Sequence, residues 1–397
     1  MGDEVSPSGI YVHIPYCKQI CPYCDFNVYP QQQAIWPEFS IALIHELECR
    51  AGLFQDKKIR SIYFGGGTPC LAPVELIEEV LESIQRRYCL ADDIEITLEI
   101  DPGSVNENKC SKLFALGVNR VSLGWQSIRT TQLKTLGRGH TPKENFELLE
   151  CLRAVGFKNI SCDLIFGVPG QALDELEEDV TELIRAQPDH ISLYALTFHP
   201  DTPFFSWRAE GKIEAISEEL ELIMMRTIKE KLEACAYEHY EVSNYAKSGL
   251  RSRQNQLYWQ GESYLGVGPG AESFSKETTA KAYRWQSQRQ PKNYIEVWNK
   301  RRRRGGRTVV KDEGMAWMEK LGLRELWNER VLTGVRLSQG FDVGYFHTYL
   351  NKEAFSKARG KAVAQSFIHQ GSNEVVPTAQ GRENADLLAE LFFDLVV

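Results

Sequence analysis

The 397-residue sequence has no apolar run near the about 20 residues that a transmembrane helix needs. Even the apolar stretch Ile160–Val168 is interrupted by Asp163. The first ten residues lack the basic and apolar segments of a secretory signal. We therefore expect a soluble, cytoplasmic protein without a transmembrane segment, and a peripheral contact with a membrane surface stays open.

The chain also lacks a surplus of basic residues. It carries 46 Lys and Arg against 54 Asp and Glu, so its formal net charge is -8. Because proteins that bind nucleic acid usually present a basic face, this composition argues against nucleic acid as a partner. One local basic run, Lys300–Arg304 with Arg307, is flanked by Gly305 and Gly306 and is interpreted as a solvated linker.

Short β-rich runs alternate with longer helical stretches six times from residue 10 onward. This alternation is typical of a parallel sheet covered by helices, and it predicts an α/β fold with a partial (β/α)6 barrel. The predicted strands are Ile10–Ile14, Ile59–Phe64, Ile94–Glu99, Val118–Gly124, Ile160–Phe166 and His190–Leu196.

One predicted helix has well-marked ends. Thr141 is its expected N-cap, Pro142 takes the first helical position, Glu144 completes a capping box, and Gly156 ends the helix.

The strand–helix alternation stops later in the chain, and a domain boundary is predicted near Arg301–Gly306. Residues 1–300 would then form the barrel domain, and residues 301–397 a smaller, mainly helical C-terminal domain. Helices are predicted there over Glu313–Leu332 and Arg382–Val397.

The ten cysteines form one cluster and a scattered set. Cys17, Cys21 and Cys24 are separated by three and two residues, which indicates a metal or redox site in an intracellular chain. Three thiolates can hold a 4Fe-4S cube and leave its fourth iron open. A structural zinc site, which needs a fourth protein ligand, is the alternative that spacing leaves open.

The segment around these cysteines, YVHIPYCKQICPYCDF, resembles the signature of the radical S-adenosylmethionine (SAM) superfamily. Within that superfamily it is similar to the branch of the heme chaperone HemW and the oxygen-independent coproporphyrinogen dehydrogenase HemN. The resemblance implies that Cys17, Cys21 and Cys24 hold a 4Fe-4S cluster whose open iron binds SAM, and that the protein can cleave SAM reductively. It also implies heme as a ligand, with client hemoproteins and an electron donor as partners.

Gly65–Pro69 directly follow the second predicted strand. A glycine run also suits a plain strand-to-helix turn, but sites assemble at the carboxyl ends of barrel strands. The family's GGGTP loop holds SAM, so a side chain at Gly67 is expected to disturb SAM binding and spare iron binding.

Further polar residues follow the ends of successive strands. By resemblance, contacts with SAM are expected at Tyr16, Tyr23, Gly66, Gly67, Thr68, Glu99, Gln126, Arg138, Asp163 and Ala195. For Tyr16 and Tyr23, aromatic packing that shields the cluster is a second role that the sequence leaves open. No catalytic residue is assigned.

Two positions bear on the choice within the branch. HemN-type dehydrogenases carry a further cysteine two residues after the last cluster cysteine, whereas this chain has Phe26, as HemW-like proteins do. HemW-like proteins usually read HNxxYW later in the chain, and here Gln254 replaces that histidine. We predict a heme chaperone that binds heme noncovalently and transfers it to client hemoproteins. The alternative is a coproporphyrinogen III oxidase or another radical SAM tetrapyrrole enzyme.

The sequence does not identify a heme ligand. His140, His199 and His239 lie near predicted loop or strand ends, and each also suits a surface or packing role.

Overall fold

The computed structural model describes residues 6–30, 35–303, 313–370 and 374–397. Its strands are β1 Ser6–Ile14, β2 Tyr16–Cys17, β3 Tyr29–Pro30, β4 Lys57–Gly66, β5 Cys89–Ile100, β6 Arg120–Gln126, β7 Ile160–Phe166, β8 His190–Ala195, β9 Glu238–Glu241, β10 Asn244–Ala246, β11 Ser263–Val267, β12 Glu272–Thr278, β13 Lys281–Ser287 and β14 Met315–Gly322. Its α-helices are α1 Trp36–Arg50, α2 Val74–Arg87, α3 Glu107–Ala115, α4 Thr130–Thr135, α5 Pro142–Val155, α6 Leu173–Arg185, α7 Pro203–Ala209, α8 Glu218–Ala234, α9 Arg253–Gln260, α10 Pro291–Arg303, α11 Leu323–Gly334, α12 Lys352–Ala364, α13 Ala379–Glu383 and α14 Ala385–Glu390.

Twelve of these strands form one sheet in the order β14-β13-β12-β11-β1-β4-β5-β6-β7-β8-β10-β9. The six strands β1, β4, β5, β6, β7 and β8 are parallel neighbours, which confirms the predicted α/β fold with a partial barrel. β11 adds a parallel strand beside β1, and the remaining strands are antiparallel. Because β9 and β14 end the sheet, the barrel is open.

The predicted ends of α5 are confirmed. The Thr141 side chain accepts a hydrogen bond from the Glu144 amide, and the Glu144 carboxylate accepts one from the Thr141 amide at 2.7 Å. Gly156 follows the helix at φ +119°, a conformation that glycine adopts without a Cβ penalty.

The two helices predicted beyond residue 301 were wrong in part. Met315–Gly322 forms a strand because it pairs antiparallel with β13, and that long-range pairing overrides the local helical pattern. Gly322 is extended and precedes α11, where its amide donates to Glu325. The closing segment forms only the short helices α13 and α14, and Leu350 and Val396 then pair in an isolated bridge.

A second apolar core lies under the C-terminal helices. It is built mainly from residues 321–392, with Trp327 fully buried, and it includes Phe274 and Ala282 from before residue 300. The basic run predicted as a linker starts inside α10, and residues 304–312 lie outside the described residues. The division at residue 300 stays a prediction.

Helix α1 is joined to the later part of the sheet through one buried carboxylate. Glu46 is 0% exposed and accepts hydrogen bonds from the Gly268 amide at 2.9 Å, the Ser287 hydroxyl at 2.8 Å and the Tyr294 hydroxyl at 2.6 Å. Burial raises the pKa of Glu46, and the nearby Arg50 opposes that rise. Glu46 thus holds three separate segments of the chain to α1.

No helix in the described ranges is long and apolar enough to cross a membrane.

Replacing Glu46 with Ala should lower the free energy of unfolding by about 3 kcal/mol. Three buried donors would lose their acceptor, and Arg50 would lose a nearby negative charge. Urea unfolding followed by circular dichroism measures this change. Glu48→Ala on the same helix is the matched control, because Glu48 makes only a surface ion pair with Arg87. A loss within about 0.5 kcal/mol is expected for that control, and equal losses in both variants would contradict the role of Glu46.

Candidate functional site

The carboxyl ends of the barrel strands surround a cavity of about 460 Å³. Because parallel strands end at one edge of the sheet, residues distant in sequence meet there. Twelve of the thirteen predicted site residues line this cavity: Cys17, Cys21, Tyr23, Cys24, Gly66, Gly67, Thr68, Glu99, Gln126, Arg138, Asp163 and Ala195.

The side chain of Tyr16 is the exception. It is buried and packs edge-on against Trp36 and Phe39, with ring centroids 5.1 and 5.5 Å away. The cavity is therefore not lined by the Tyr16 ring, and the expected aromatic packing occurs in the core behind the cluster loop. Tyr23 lines the cavity and packs against Phe204.

The loop that carries the three cysteines is held at its base by a two-stranded parallel sheet. Tyr16–Cys17 pairs with Tyr29–Pro30, and the Tyr29 amide donates to the Pro15 carbonyl at 2.7 Å. Farther along the loop, Asn27 Nδ2 donates to the carbonyls of Pro269 and Arg289, both at 2.9 Å. The loop is thus anchored to two other parts of the chain.

The GGGTP turn packs directly on this segment. The Gly67 amide donates to the Ile14 carbonyl and the Thr68 amide to the Tyr16 carbonyl, both at 2.9 Å. A Cβ atom at Gly67 would lie 2.8 Å from the Tyr16 carbonyl oxygen and 2.9 Å from Cys17 Sγ. A side chain here would therefore press on Cys17 itself, and this contact predicts that it would disturb iron binding as well as SAM binding.

The three thiols are suited to a cube better than to a single ion. Within the part of the chain that the structure describes, no group of three or more His, Cys, Asp or Glu side chains is placed to hold one metal ion. A 4Fe-4S cube bonds its thiolates to different irons, so it needs thiols spread around a cavity. Burial raises the pKa of Cys17 to about 12 and of Cys24 to about 11, so binding of the cluster must supply the positive charge that stabilises the thiolates.

Arg138 is the cation beside the cluster cysteines. It forms an ion pair with Asp101, and its Nη1 lies 3.6 Å from Cys21 Sγ. Burial lowers the pKa of Arg138, but Asp101, Tyr23 and Cys21 outweigh that effect and the net shift is upward. Arg138 therefore stays charged and can balance a thiolate or a carboxylate in the cavity.

Two carboxyl groups lie deeper among the strand ends. Glu99 accepts hydrogen bonds from the Tyr63 hydroxyl at 3.0 Å and from the Gly66 amide at 3.1 Å. Asp163 accepts from the Ser122 hydroxyl at 3.1 Å. Burial and the nearby Asp163 raise the pKa of Glu99 to about 7, so this group is poised to change charge near neutral pH.

Sequence reasoning missed several cavity residues. Arg120 is buried at the start of β6 and lines the cavity, and its Nε has no hydrogen-bond partner among the described residues. An arginine inside a predicted strand was the available signal. Asp101 was not among the predicted site residues, although it accepts from both Arg138 and the Thr68 hydroxyl.

The comparisons with known proteins agree with this geometry. A family model of the radical SAM superfamily matches residues 11–183. The heme chaperone HemW of Mycobacterium tuberculosis H37Rv is 32% identical over 384 residues, which cover 96% of this chain and 93% of that protein. The chain belongs to the HemW family of radical SAM proteins. Membership of this superfamily implies a 4Fe-4S cluster and SAM as cofactors.

Two further similarities extend this result. The heme chaperone HemW of Bacillus subtilis strain 168 is 36% identical over 265 residues, which cover 66% of this chain and 70% of that protein. Among solved structures, the coproporphyrinogen III oxidase HemN of Escherichia coli superposes with a TM-score of 0.79 and 21% identity, covering 98% of this chain and 90% of that one. The likeness to HemN shows that the two proteins share a fold.

Replacing any one of Cys17, Cys21 and Cys24 with Ala should remove most of the iron and sulfide from anaerobically reconstituted protein, because each thiolate binds a different iron. Colorimetric iron and sulfide analysis measures the loss. Cys89→Ala is the control, since Cys89 is exposed and does not line the cavity. Equal iron contents in the two sets would refute the cluster assignment.

Glu99→Gln should weaken SAM binding about tenfold, because a neutral amide attracts the positive charge of SAM less than a carboxylate does. Since the pKa of Glu99 is raised to about 7, acidification from about pH 8 to about pH 6 should protonate it and weaken SAM binding to the wild type. Anaerobic calorimetry of the reconstituted protein measures both effects.

Glu107→Gln, at the exposed start of α3, is the matched control and should keep the wild-type affinity and pH dependence. If Glu99→Gln showed the same pH dependence as the wild type, another group would be responsible for it.

Proposed function

We propose that this protein binds heme at the open end of the cluster cavity and transfers it to client hemoproteins. The relatives that match most of its length carry the name heme chaperone HemW. The proposal includes an electron donor for the cluster and the SAM contacts expected at the residues that line the cavity.

The observation that carries the proposal is the exposed Phe26. Phe26 is 66% exposed and Ile20 is 45% exposed, and both line the cavity. We call the open end marked by Ile20, Phe26 and His199 the mouth. Large apolar side chains at a cavity opening favour a ligand with an extended apolar face, and the porphyrin ring of heme is such a ligand.

The two ends of the cavity have different chemistry. Glu99, Asp163 and Arg120 place charged groups within the strands of the sheet, whereas Ile20 and Phe26 add exposed apolar area at the mouth. The charged end is suited to the polar groups of SAM and the mouth to a tetrapyrrole. When bound, the 4Fe-4S cluster supplies one-electron chemistry to SAM, and Arg138 beside Cys21 balances negative charge at that point.

Phe26 also argues against oxidation of coproporphyrinogen. In the dehydrogenase branch a cysteine stands at this position, and phenylalanine offers no thiol. A side chain that packs and excludes water is compatible with holding a tetrapyrrole without converting it.

Reconstituted protein titrated anaerobically with hemin should develop a heme Soret band. With SAM, dithionite and coproporphyrinogen it should form no protoporphyrinogen, because it lacks the thiol of the dehydrogenase branch. Difference absorbance spectra and chromatography of the tetrapyrroles provide the two readouts. Transfer is tested by mixing the heme-loaded protein with an apo-hemoprotein and measuring the client's absorbance spectrum.

Phe26→Asp should weaken heme binding, because it puts a charge at the apolar mouth, while Phe114→Asp, at an exposed apolar position on α3, should leave it unchanged. Multiple turnovers of coproporphyrinogen to product would favour the oxidase instead, and absence of heme binding would refute the chaperone proposal.

A further inference from the structure

We infer that His199, oriented by Asp25, is the axial ligand of heme at the mouth. This inference rests on the proposed function and adds the residue that would bind the heme iron. It starts from Gln254, the residue that stands where HemW-like proteins usually have a histidine.

Gln254 is not placed to bind iron at this site. It is 1% exposed, lies beneath the sheet on α9 and accepts a hydrogen bond from the Ser61 hydroxyl, whereas its neighbour Asn255 lines the cavity. An amide is also a poorer ligand for heme iron than an imidazole. An axial ligand must therefore come from elsewhere in the chain.

All eight histidines of the sequence lie in the described residues, and His199 alone among them lines the cavity. Three others are buried and bonded to neighbouring polar atoms: His13, His140 and His190. Two pack against aromatic rings: His45 and His239. Two are exposed beyond residue 340: His347 and His369.

His199 has the surroundings of a metal-binding imidazole. Its side chain is 42% exposed, and its Nδ1 lies 3.4 Å from Asp25 Oδ2. A carboxylate beside one ring nitrogen fixes the tautomer with hydrogen on that nitrogen, which leaves Nε2 free to bind a metal. Asp25 itself follows Cys24 directly, so the pair sits between the cluster loop and the segment after β8.

The three residues of the mouth would contact different parts of heme. Phe26 and Ile20 offer apolar area to the porphyrin face, and His199 offers a nitrogen to its iron. A heme site requires apolar side chains against the porphyrin and a side chain that binds the iron, and the mouth offers both.

Three tyrosines line the cavity, and Tyr194 is the competing ligand because it is exposed whereas Tyr23 and Tyr63 are half-buried. A phenol binds ferric heme as the phenolate. Desolvation and the nearby Asp163 carboxylate raise the pKa of Tyr194, which disfavours that form. His199 is therefore the better ligand near neutral pH.

The test uses the full-length, cluster-reconstituted protein and hemin as the probe. Magnetic circular dichroism detects the axial ligand, and iron analysis checks that each variant keeps its cluster. His199→Gly should weaken hemin binding at least about tenfold and lose the histidine signature, and added imidazole should restore that signature. His347→Gly is the matched control and should match the wild type. Tyr194→Phe tests the competing ligand and should keep the histidine signature.

Asp25→Asn provides a second variant that keeps the imidazole. Removing the carboxylate charge beside Nδ1 should lower the Fe–His stretching frequency in resonance Raman spectra of the ferrous form. Wild-type protein that binds no hemin would refute the proposed function. Wild-type protein that binds hemin while His199→Gly keeps the same spectrum and affinity would overturn this inference alone, as would failure of imidazole to restore the signature.

Discussion

Two backbone hydrogen bonds between the GGGTP turn and the segment before Cys17 fix the position of the cluster loop relative to the ends of the strands. The amides of Gly67 and Thr68 donate to the carbonyls of Ile14 and Tyr16, so the end of β4 holds the chain that leads into the cluster loop. Such a close approach requires a residue without a Cβ at position 67. The glycines of this turn therefore shape the cluster loop as well as the wall of the cavity.

From this contact the cavity acquires two chemically different ends. Charged residues line the cavity near the end of β5, at the start of β6 and in the middle of β7, and Asp163 accepts its hydrogen bond from Ser122 on the neighbouring strand. The mouth is formed by the cluster loop and by the segment after β8, neither of which belongs to the sheet. Loops outside the sheet contribute little to the apolar core. Exposure of Phe26 on such a loop therefore does not destabilise the core. The sheet thus determines one end of the cavity, and loops outside it determine the other.

The sequence predicted those parts of the structure whose causes are local. Strand β7 and the ends of α5 follow from hydrophobic pattern and capping residues, and the cysteine spacing located the cluster loop. Long-range effects were not predictable. β14 is a strand because β13 pairs with it, and Asp25 meets His199 only because the loop and the segment after β8 converge. Arg120 was missed because periodicity does not show which buried strand position faces a cavity.

The chain beyond the barrel also stabilises the cluster loop, because the loop and helix α1 both form polar contacts with the same later segment. Asn27 in the loop donates to the carbonyls of Pro269 and Arg289. Glu46 in α1 accepts from the Gly268 amide and the Ser287 hydroxyl, next to those same two carbonyls in sequence. The segment between them contains β12 and β13, which continue the sheet toward β14. The cluster loop is therefore braced by strands that follow the six barrel strands in sequence, and this gives a structural reason for the later region to remain attached to the barrel.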